Sequence, residues 1–272
     1  SCGMAGSVSE PVSEVAEHAT DEAPTRSGTG PVAGLLKAMR PHQWVKNAFV
    51  VAPLVFAKGL GDVDMMTRSA IAFGLFSFAA SSIYLMNDLA DVESDRAHAT
   101  KRHRPIAAGV VSVQAAKIAT GVLMLAACTG AFLLGPWVLG AIAGYIVLQV
   151  AYTFSLKRVP YVDVLCIAAG FELRVLCGSF ALAVRPSVYL LVVTLLLSLF
   201  LGFGKRMHEL RQSQASGKAG KTRKVLEKYS DKTLTVVLQL TALATTPTYV
   251  LYTLDPTPLA SFGTDYPAGT LV

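Results

Sequence analysis

Residues 67–95 read TRSAIAFGLFSFAASSIYLMNDLADVESD, an apolar run rich in small residues that closes abruptly on Asn87, Asp88, Asp91 and Asp95. At about 1.5 Å per residue the apolar part is long enough to cross a bilayer as one helix. Its end is of opposite character. On a continuous helix Asn87, Asp91 and Asp95 stand four residues apart and share a face, so three oxygen ligands are expected to converge on a hard cation that can hold a phosphate. Acids of this density at a membrane boundary are costly to place, which favours a functional reading. The plainer alternative is a cytosolic helix end whose carboxylates merely pair with Arg96 or Lys101. Spacing favours the site, and magnesium is the expected ion, because carboxylates plus substrate phosphates suit it.

Outward from this stretch the chain repeats the apolar theme. Of 272 residues 53% are hydrophobic and 15% charged, with a mean hydropathy of +0.49. Apolar blocks at about 45–61, 67–90, 113–134, 136–156, 161–184, 186–204 and 233–254 are candidate spans, the first being the weakest because Lys58 and Gly59 cut it short. The blocks are continuous, without the period-two alternation of barrel strands. The fold class is therefore all-α, a polytopic membrane helical bundle, with Ala79 to Ser82, Gly140 to Gly144 and Ala168 to Gly170 as close-packing small residues.

Lys and Arg set the orientation. Alternate connections carry Lys37, Arg40 and Lys46; Arg96, Lys101, Arg102, Arg104 and Lys117; Lys157 and Arg158; and the basic run from Lys205 to Lys232, against Lys58, Arg68 and Arg185 on the other side. The Asp-rich end is thus expected in the cytosol. The net charge of +6 reports topology and phosphate handling, and no nucleic-acid partner is expected. Cys2, Cys128, Cys166 and Cys177 show no metal or disulfide spacing. Residues 1–30, poor in large apolar side chains, are expected to form a disordered arm ahead of one membrane domain, 31–272. No Walker loop, HExxH or Gly-x-Ser-x-Gly is present, so ATPase and hydrolase readings have no residue support.

Other charged motifs have two readings each. The run from Lys101 to Gly109 is a positive-inside anchor or, being close to the acids, a diphosphate clamp. Glu209 pairs within its helix with Lys205 and Arg206, or these serve a site. Residues 222–230 form an amphipathic lid or a solvated connector. Within the fifth span Arg174, deep enough to need a partner, is a site cation or half of a buried packing pair with Glu172 or a carboxylate of the second span. The stretch Arg40 to Asn47 is an interfacial anchor built on Trp44 or a second phosphate clamp.

Taken together, Asn87-Asp88-x-x-Asp91-x-x-x-Asp95 resembles the first Asp-rich motif of the UbiA-type membrane prenyltransferases, whose fold is a ring of nine membrane helices around a central cavity. The usual second Asp-rich motif is replaced by Lys205-Arg206-Met207-His208-Glu209-Leu210. That stretch, with Arg40-Pro-x-Gln43-Trp44-x-Lys46-Asn47, Lys101-Arg102-x-Arg104-Pro105-Ile106-Ala107-Ala108-Gly109 and Leu226-x-x-Tyr229-Ser230, is similar to the decaprenyl-phosphate phosphoribosyltransferase branch. With about seven of nine helices in sight, a C-terminally incomplete domain is expected.

The resemblance implies magnesium-dependent transfer of a 5-phosphoribosyl group from phosphoribosyl diphosphate to a polyprenyl (decaprenyl) phosphate, a step toward cell-wall arabinan, at the inner membrane of a bacterium. Asn87, Asp88, Asp91 and Asp95 are then the metal set, and Asp91, Asp95, Lys205 and Arg206 the catalytic set. Arg40, Lys46, Asn47, Lys101, Arg102, Arg104, Tyr152, Lys157, Arg174, Glu209 and Tyr229 are the substrate-binding set. An aromatic or quinone prenyltransferase using a prenyl diphosphate is the alternative within the superfamily. A membrane transporter is the alternative outside it, disfavoured because the acids lie at one boundary and not at the midplane of a repeat interface.

Overall fold

A computed structural model describes residues 30–215 and 229–254, and all regular structure among them is helical. The helices are α1 (Pro31–Ala38), α2 (Ala48–Phe56), α3 (Val63–Ala90), α4 (Val92–Arg96), α5 (Val113–Leu134), α6 (Pro136–Phe154), α7 (Val162–Ala181), α8 (Val188–Ala215) and α9 (Asp231–Leu254), with short 3-10 turns between several of them. The expected N-terminal arm, most of the 222–230 lid and the C-terminal end lie outside the described residues.

Five helices, α3, α5, α6, α7 and α8, are long and apolar enough to cross a membrane, which makes this an integral membrane protein. Two of the seven expected spans fall short of that standard. The first resolves into a 3-10 turn, Pro41–Asn47, and the nine-residue α2, which ends where Lys58 turns left-handed (φ 54°). Nine residues reach only about 14 Å, half the hydrocarbon thickness. The last, α9, is long enough, but its threonines lower its apolarity. Thr235, Thr241, Thr245 and Thr248 each donate to the carbonyl four residues back, so their hydroxyls are satisfied within the helix.

Helices α3 and α7 are the buried pair: 56% of the most apolar stretch of each is covered, against 11% for α5. Helix α3 packs on α5, α7 on α2, α6 and α8, and α8 on α9. Small residues set these approaches. Gly178 of α7 lies against the Val50 carbonyl of α2 so closely that a Cβ there would come within 1.9 Å of the oxygen. Ala72, Ala79 and Ala80 of α3 meet Ala127 and Ala131 of α5 around Phe76, Ile83 and Ile142. The turn between α5 and α6 is Gly135 alone, at a φ of 147° closed to other residues, and Pro136 opens α6.

At one end of α3 the chain before it folds back as a brace. The Trp44 indole N–H donates to the Ser81 hydroxyl (3.1 Å), which donates to the Met39 carbonyl (3.2 Å). The loop after α4 is pinned by Ile106 and Val111, buried with Ala38, Leu85 and Ala116, and turns back at Gly109 (φ 74°). Trp137, in contrast, is 63% exposed on the outer surface near Phe180.

Candidate active site

The helical path through the acid motif is distorted at Asp91. Helix α3 stops at Ala90, Asp91 takes φ −98° and ψ 4°, and α4 starts afresh at Val92. The helical bonds nevertheless run on, from the Asp91 N–H to the Asn87 carbonyl (3.0 Å) and from the Asp95 N–H to the Asp91 carbonyl (2.8 Å), so the four-residue spacing of Asn87, Asp91 and Asp95 is kept; Asp91 is exposed, while Asp88 and Asp95 are buried, at 3% and 1% exposure. Among the described residues no three His, Cys, Asp or Glu side chains gather closely enough to hold a metal by themselves.

Two buried carboxylates need cations, and the brace and loop supply them. One Arg104 nitrogen, Nη1, donates to both Asp88 Oδ1 (3.1 Å) and Asp95 Oδ2 (2.7 Å). Arg40 Nη2 donates to the same Asp88 oxygen (2.7 Å), and its guanidinium lies over the Tyr84 ring. Arg40 is itself left-handed (φ 56°) ahead of Pro41, a backbone that non-glycine residues adopt at a cost of about 1–3 kcal/mol and mostly where geometry at a site demands it. Lys101 is 3.9 Å from Asp95 Oδ1, an oxygen that is buried and has no hydrogen-bond partner. Asn87 Oδ1 accepts from Thr153 (3.0 Å), a contact from α6 that the motif did not announce. Arg102 stands exposed on the same turn.

That donor set fits a magnesium ion completed by phosphate. Such ions take one or two protein carboxylates and fill the rest of the octahedron with water and substrate oxygens. Asp95, with its unpartnered oxygen, Asp88 and the Asn87 amide suit that role, with Asp91 at the solvent side.

A second group of residues is cationic and lacks acids. Arg174 of α7, buried at 5% exposure, donates through Nε to Asn47 Oδ1 (2.9 Å), through Nη1 to the Gly170 carbonyl (2.7 Å) and weakly through Nη2 to the Tyr145 hydroxyl (3.4 Å). Phe76, Tyr145 and Phe171 present their rings at 5.0, 4.9 and 5.4 Å. Asn47, fully buried, is oriented by its own donation to Ser77 (2.9 Å). Among the described residues Arg174 has an amide, a carbonyl and π faces in place of the carboxylate of a packing pair, because Asn47 of the turn before α2 and Tyr145 of α6 lie against it; Glu172 Oε1 is left without a hydrogen-bond partner. Lys46 belongs to the same group. Partial burial and the fields of Arg174 and Lys205 hold its ammonium below the ordinary lysine value.

The third group brings Arg206, Glu209 and Tyr229 together in one network around Asp163. Arg206, 2% exposed, donates to Asp163 Oδ2 (2.8 Å) and Glu209 Oε2 (2.6 Å), so both of its donating edges are committed to carboxylates. The Tyr229 hydroxyl donates to Asp163 Oδ1 and accepts the Tyr161 backbone N–H (2.7 Å). Burial, then the Asp163 bond, pushes the Tyr229 phenol up. This closed network ties the start of α7, the end of α8 and the start of α9 together. Asp163, 0% exposed, is its centre, and its only sequence signal is an acid in the first turn of a membrane helix. Tyr152 lies near Arg206; Lys157, on the turn after α6, makes no hydrogen bond or ion pair with these groups. Lys205, next to Arg206, is 70% exposed and only 4.0 Å from Glu209 at its nearest.

Known proteins share this sequence and architecture. Residues 48–269 match the UbiA prenyltransferase family. A decaprenyl-phosphate phosphoribosyltransferase of Mycolicibacterium smegmatis is 40% identical over 87% of this chain and 76% of its own length. One from Corynebacterium glutamicum is 40% identical over 82% and 68%. Among solved structures, a UbiA homolog from Archaeoglobus fulgidus bound to DMAPP and Mg2+ superposes with a TM-score of 0.62 at 16% identity, covering 82% of this chain and 80% of that one. A digeranylgeranylglyceryl phosphate synthase gives 0.66 at 17% identity, over 82% and 78%. Fold, motif and sequence agree: the chain belongs to the UbiA prenyltransferase family.

Proposed function

We propose that this protein transfers a 5-phosphoribosyl group from phosphoribosyl diphosphate to a polyprenyl phosphate, with magnesium, at the cytosolic face of a bacterial inner membrane. The observation that carries the reading is Arg174: a buried cation with no carboxylate partner among the described residues, near enough to Lys46 that its field, with that of Lys205, acts on the Lys46 ammonium. An uncompensated buried charge is strongly unfavourable unless an anion joins it. This second anion site is separate from the Asp88–Asp95 pair, as a reaction joining a diphosphate donor to a phosphate acceptor requires. The named activity of the relatives at 40% identity supports the same substrates.

In this reading Asn87, Asp88, Asp91 and Asp95 hold the magnesium, which when bound neutralises charge on the leaving diphosphate. Lys101, Arg102 and Arg104 take the remaining diphosphate oxygens, and Arg40 orients Asp88. Lys46, Arg174 and Lys205 hold the second phosphate group. A lipid-phosphate oxygen forms the new bond to the anomeric carbon as the bond to the diphosphate oxygen breaks and the diphosphate leaves with the electron pair. The nucleophile is already anionic, so no strong general base is needed, and carboxylates beside the ring stabilise the oxocarbenium-like state. Arg206, Glu209 and Tyr229 position α8, and through it Lys205, by way of Asp163.

The test is product formation. Full-length protein in detergent, given labelled phosphoribosyl diphosphate and decaprenyl phosphate, should yield decaprenyl-phosphate phosphoribose and diphosphate with Mg2+ and neither with EDTA. Transfer of a prenyl group from a prenyl diphosphate to an aromatic acceptor, without phosphoribosyl transfer, would replace this reading with the quinone-type one.

A further inference from the structure

We propose that Arg104 is a built-in counter-ion of the acid pair that a divalent cation displaces, so that metal and diphosphate bind with positive coupling through the exchange of one guanidinium. This rests on the reading of the Asn87–Asp95 region as a metal–diphosphate site.

Asp88 and Asp95 are both about 2% exposed in their side chains, and both contact the same nitrogen of Arg104. Without that bridge two ionised carboxylates would face each other across a poorly solvated gap. The two acids do not depend on Arg104 equally. Asp88 retains Arg40 at 2.7 Å if Arg104 departs, whereas Asp95 retains only Lys101 at 3.9 Å, beside an oxygen with no hydrogen bond. A divalent ion approaching Asp95 therefore meets a guanidinium already in possession of the other carboxylate oxygen. An ion taking the free Oδ1 lies beside the guanidinium on Oδ2 of the same carboxylate, and the repulsion between them in this poorly solvated site favours departure of Arg104.

Arg104 is free to leave. Its side chain is 29% exposed, and the backbone carrying it is held independently, with Ile106 and Val111 buried against α1, α3 and α5. An expelled guanidinium needs a new anion, and a diphosphate delivered with the metal offers bidentate oxygen pairs. Metal alone thus loses the Arg104 ion pairs and gains no replacement, while metal with diphosphate recovers them. The linkage is reciprocal, so diphosphate tightens metal as metal tightens diphosphate.

The experiment measures Mn2+ binding to the full-length protein by electron paramagnetic resonance, with and without inorganic diphosphate, in wild type, Arg104→Gln and Arg104→Lys. Wild type should bind Mn2+ weakly alone and at least about tenfold more tightly with diphosphate, within the usual range of such couplings. Arg104→Gln should bind Mn2+ alone about tenfold more tightly than wild type and lose most of the coupling. Should Arg104→Gln not fold, Arg104→Lys carries the test, because the shorter lysine side chain sets its ammonium back from the two oxygens that Nη1 reaches and should likewise tighten Mn2+ alone. Unchanged Mn2+ affinity in the variant that folds, with loss confined to diphosphate, overturns the exchange and leaves Arg104 a phosphate contact. Asp95→Asn separates the two readings: if it binds Mn2+ with diphosphate as well as wild type does, the metal site itself is misassigned.

Discussion

Arg174 holds a full charge among an amide, a carbonyl and three aromatic rings. Replacing it with methionine removes a desolvated ion and keeps the volume, so Arg174→Met should leave thermal stability unchanged or raise it. The same change should lower transfer by about 100-fold or more, since a positioned charge at a reacting phosphate is lost. Unimpaired turnover would remove Arg174 from the anion site. Lys46 gives a pH signature. Its folded pKa lies below the ordinary 10.5, so the charged form opposes folding fully below the folded value and ceases to do so as pH climbs to 10.5. Stability of the anion-free protein should therefore rise across that alkaline window while affinity for inorganic phosphate falls, and Lys46→Met should flatten both curves. The acids were legible at this scale as a motif, but their partners were not. Asp88, off the face shared by Asn87, Asp91 and Asp95, is the buried partner of Arg40 and Arg104, 48 and 16 residues away in the chain, and no local spacing announces those contacts.

Between elements, the α2–α7 crossing depends on one absent side chain. Gly178→Ala sets a Cβ 1.9 Å from the Val50 oxygen, a backbone atom that cannot swing away, and should cost about 1–3 kcal/mol in thermal or denaturant unfolding. Gly74→Ala, where nothing lies within 4 Å, should cost nothing and serves as the control. Asp163 binds three elements at once. Asp163→Ala strands Arg206 in a buried position and should cost about 3–5 kcal/mol, whereas Tyr229→Phe removes one hydrogen bond and should cost about 1–2 kcal/mol with turnover largely kept. Large loss of turnover without loss of stability in Tyr229→Phe would return that residue to the substrate set. The five apolar spans were readable because a helix in lipid must satisfy its own backbone and so needs an unbroken apolar run. The Arg206 network was not. Its partner is 43 residues away, and local spacing to Glu209 supplies only half of it.

Across the whole molecule, the acid pair with its arginines comes from the brace, α3, α4 and the loop after it, and the acid-free cationic group from the brace, α7 and α8. Both groups lean on the segment Arg40 to Asn47, which sends Arg40 to one and Lys46 and Asn47 to the other. Orientation follows from the basic connections: Arg102→Cys should react with a membrane-impermeant maleimide only when the cytosolic face is open, and Asp62→Cys, at the other end of α3, only from outside. The reverse pattern would invert the topology. That shared brace also carries an optical consequence. The chain has two tryptophans, one tethered through Ser81 to α3 and the other exposed on the outer surface. Emission from Trp44, isolated by Trp137→Phe, reports events beside both charge clusters, while brominated lipid should quench Trp137 and spare its counterpart. A single intrinsic fluorophore thus stands beside both charge clusters, and the arrival of an anion or a divalent ion at either can be timed without any attached dye.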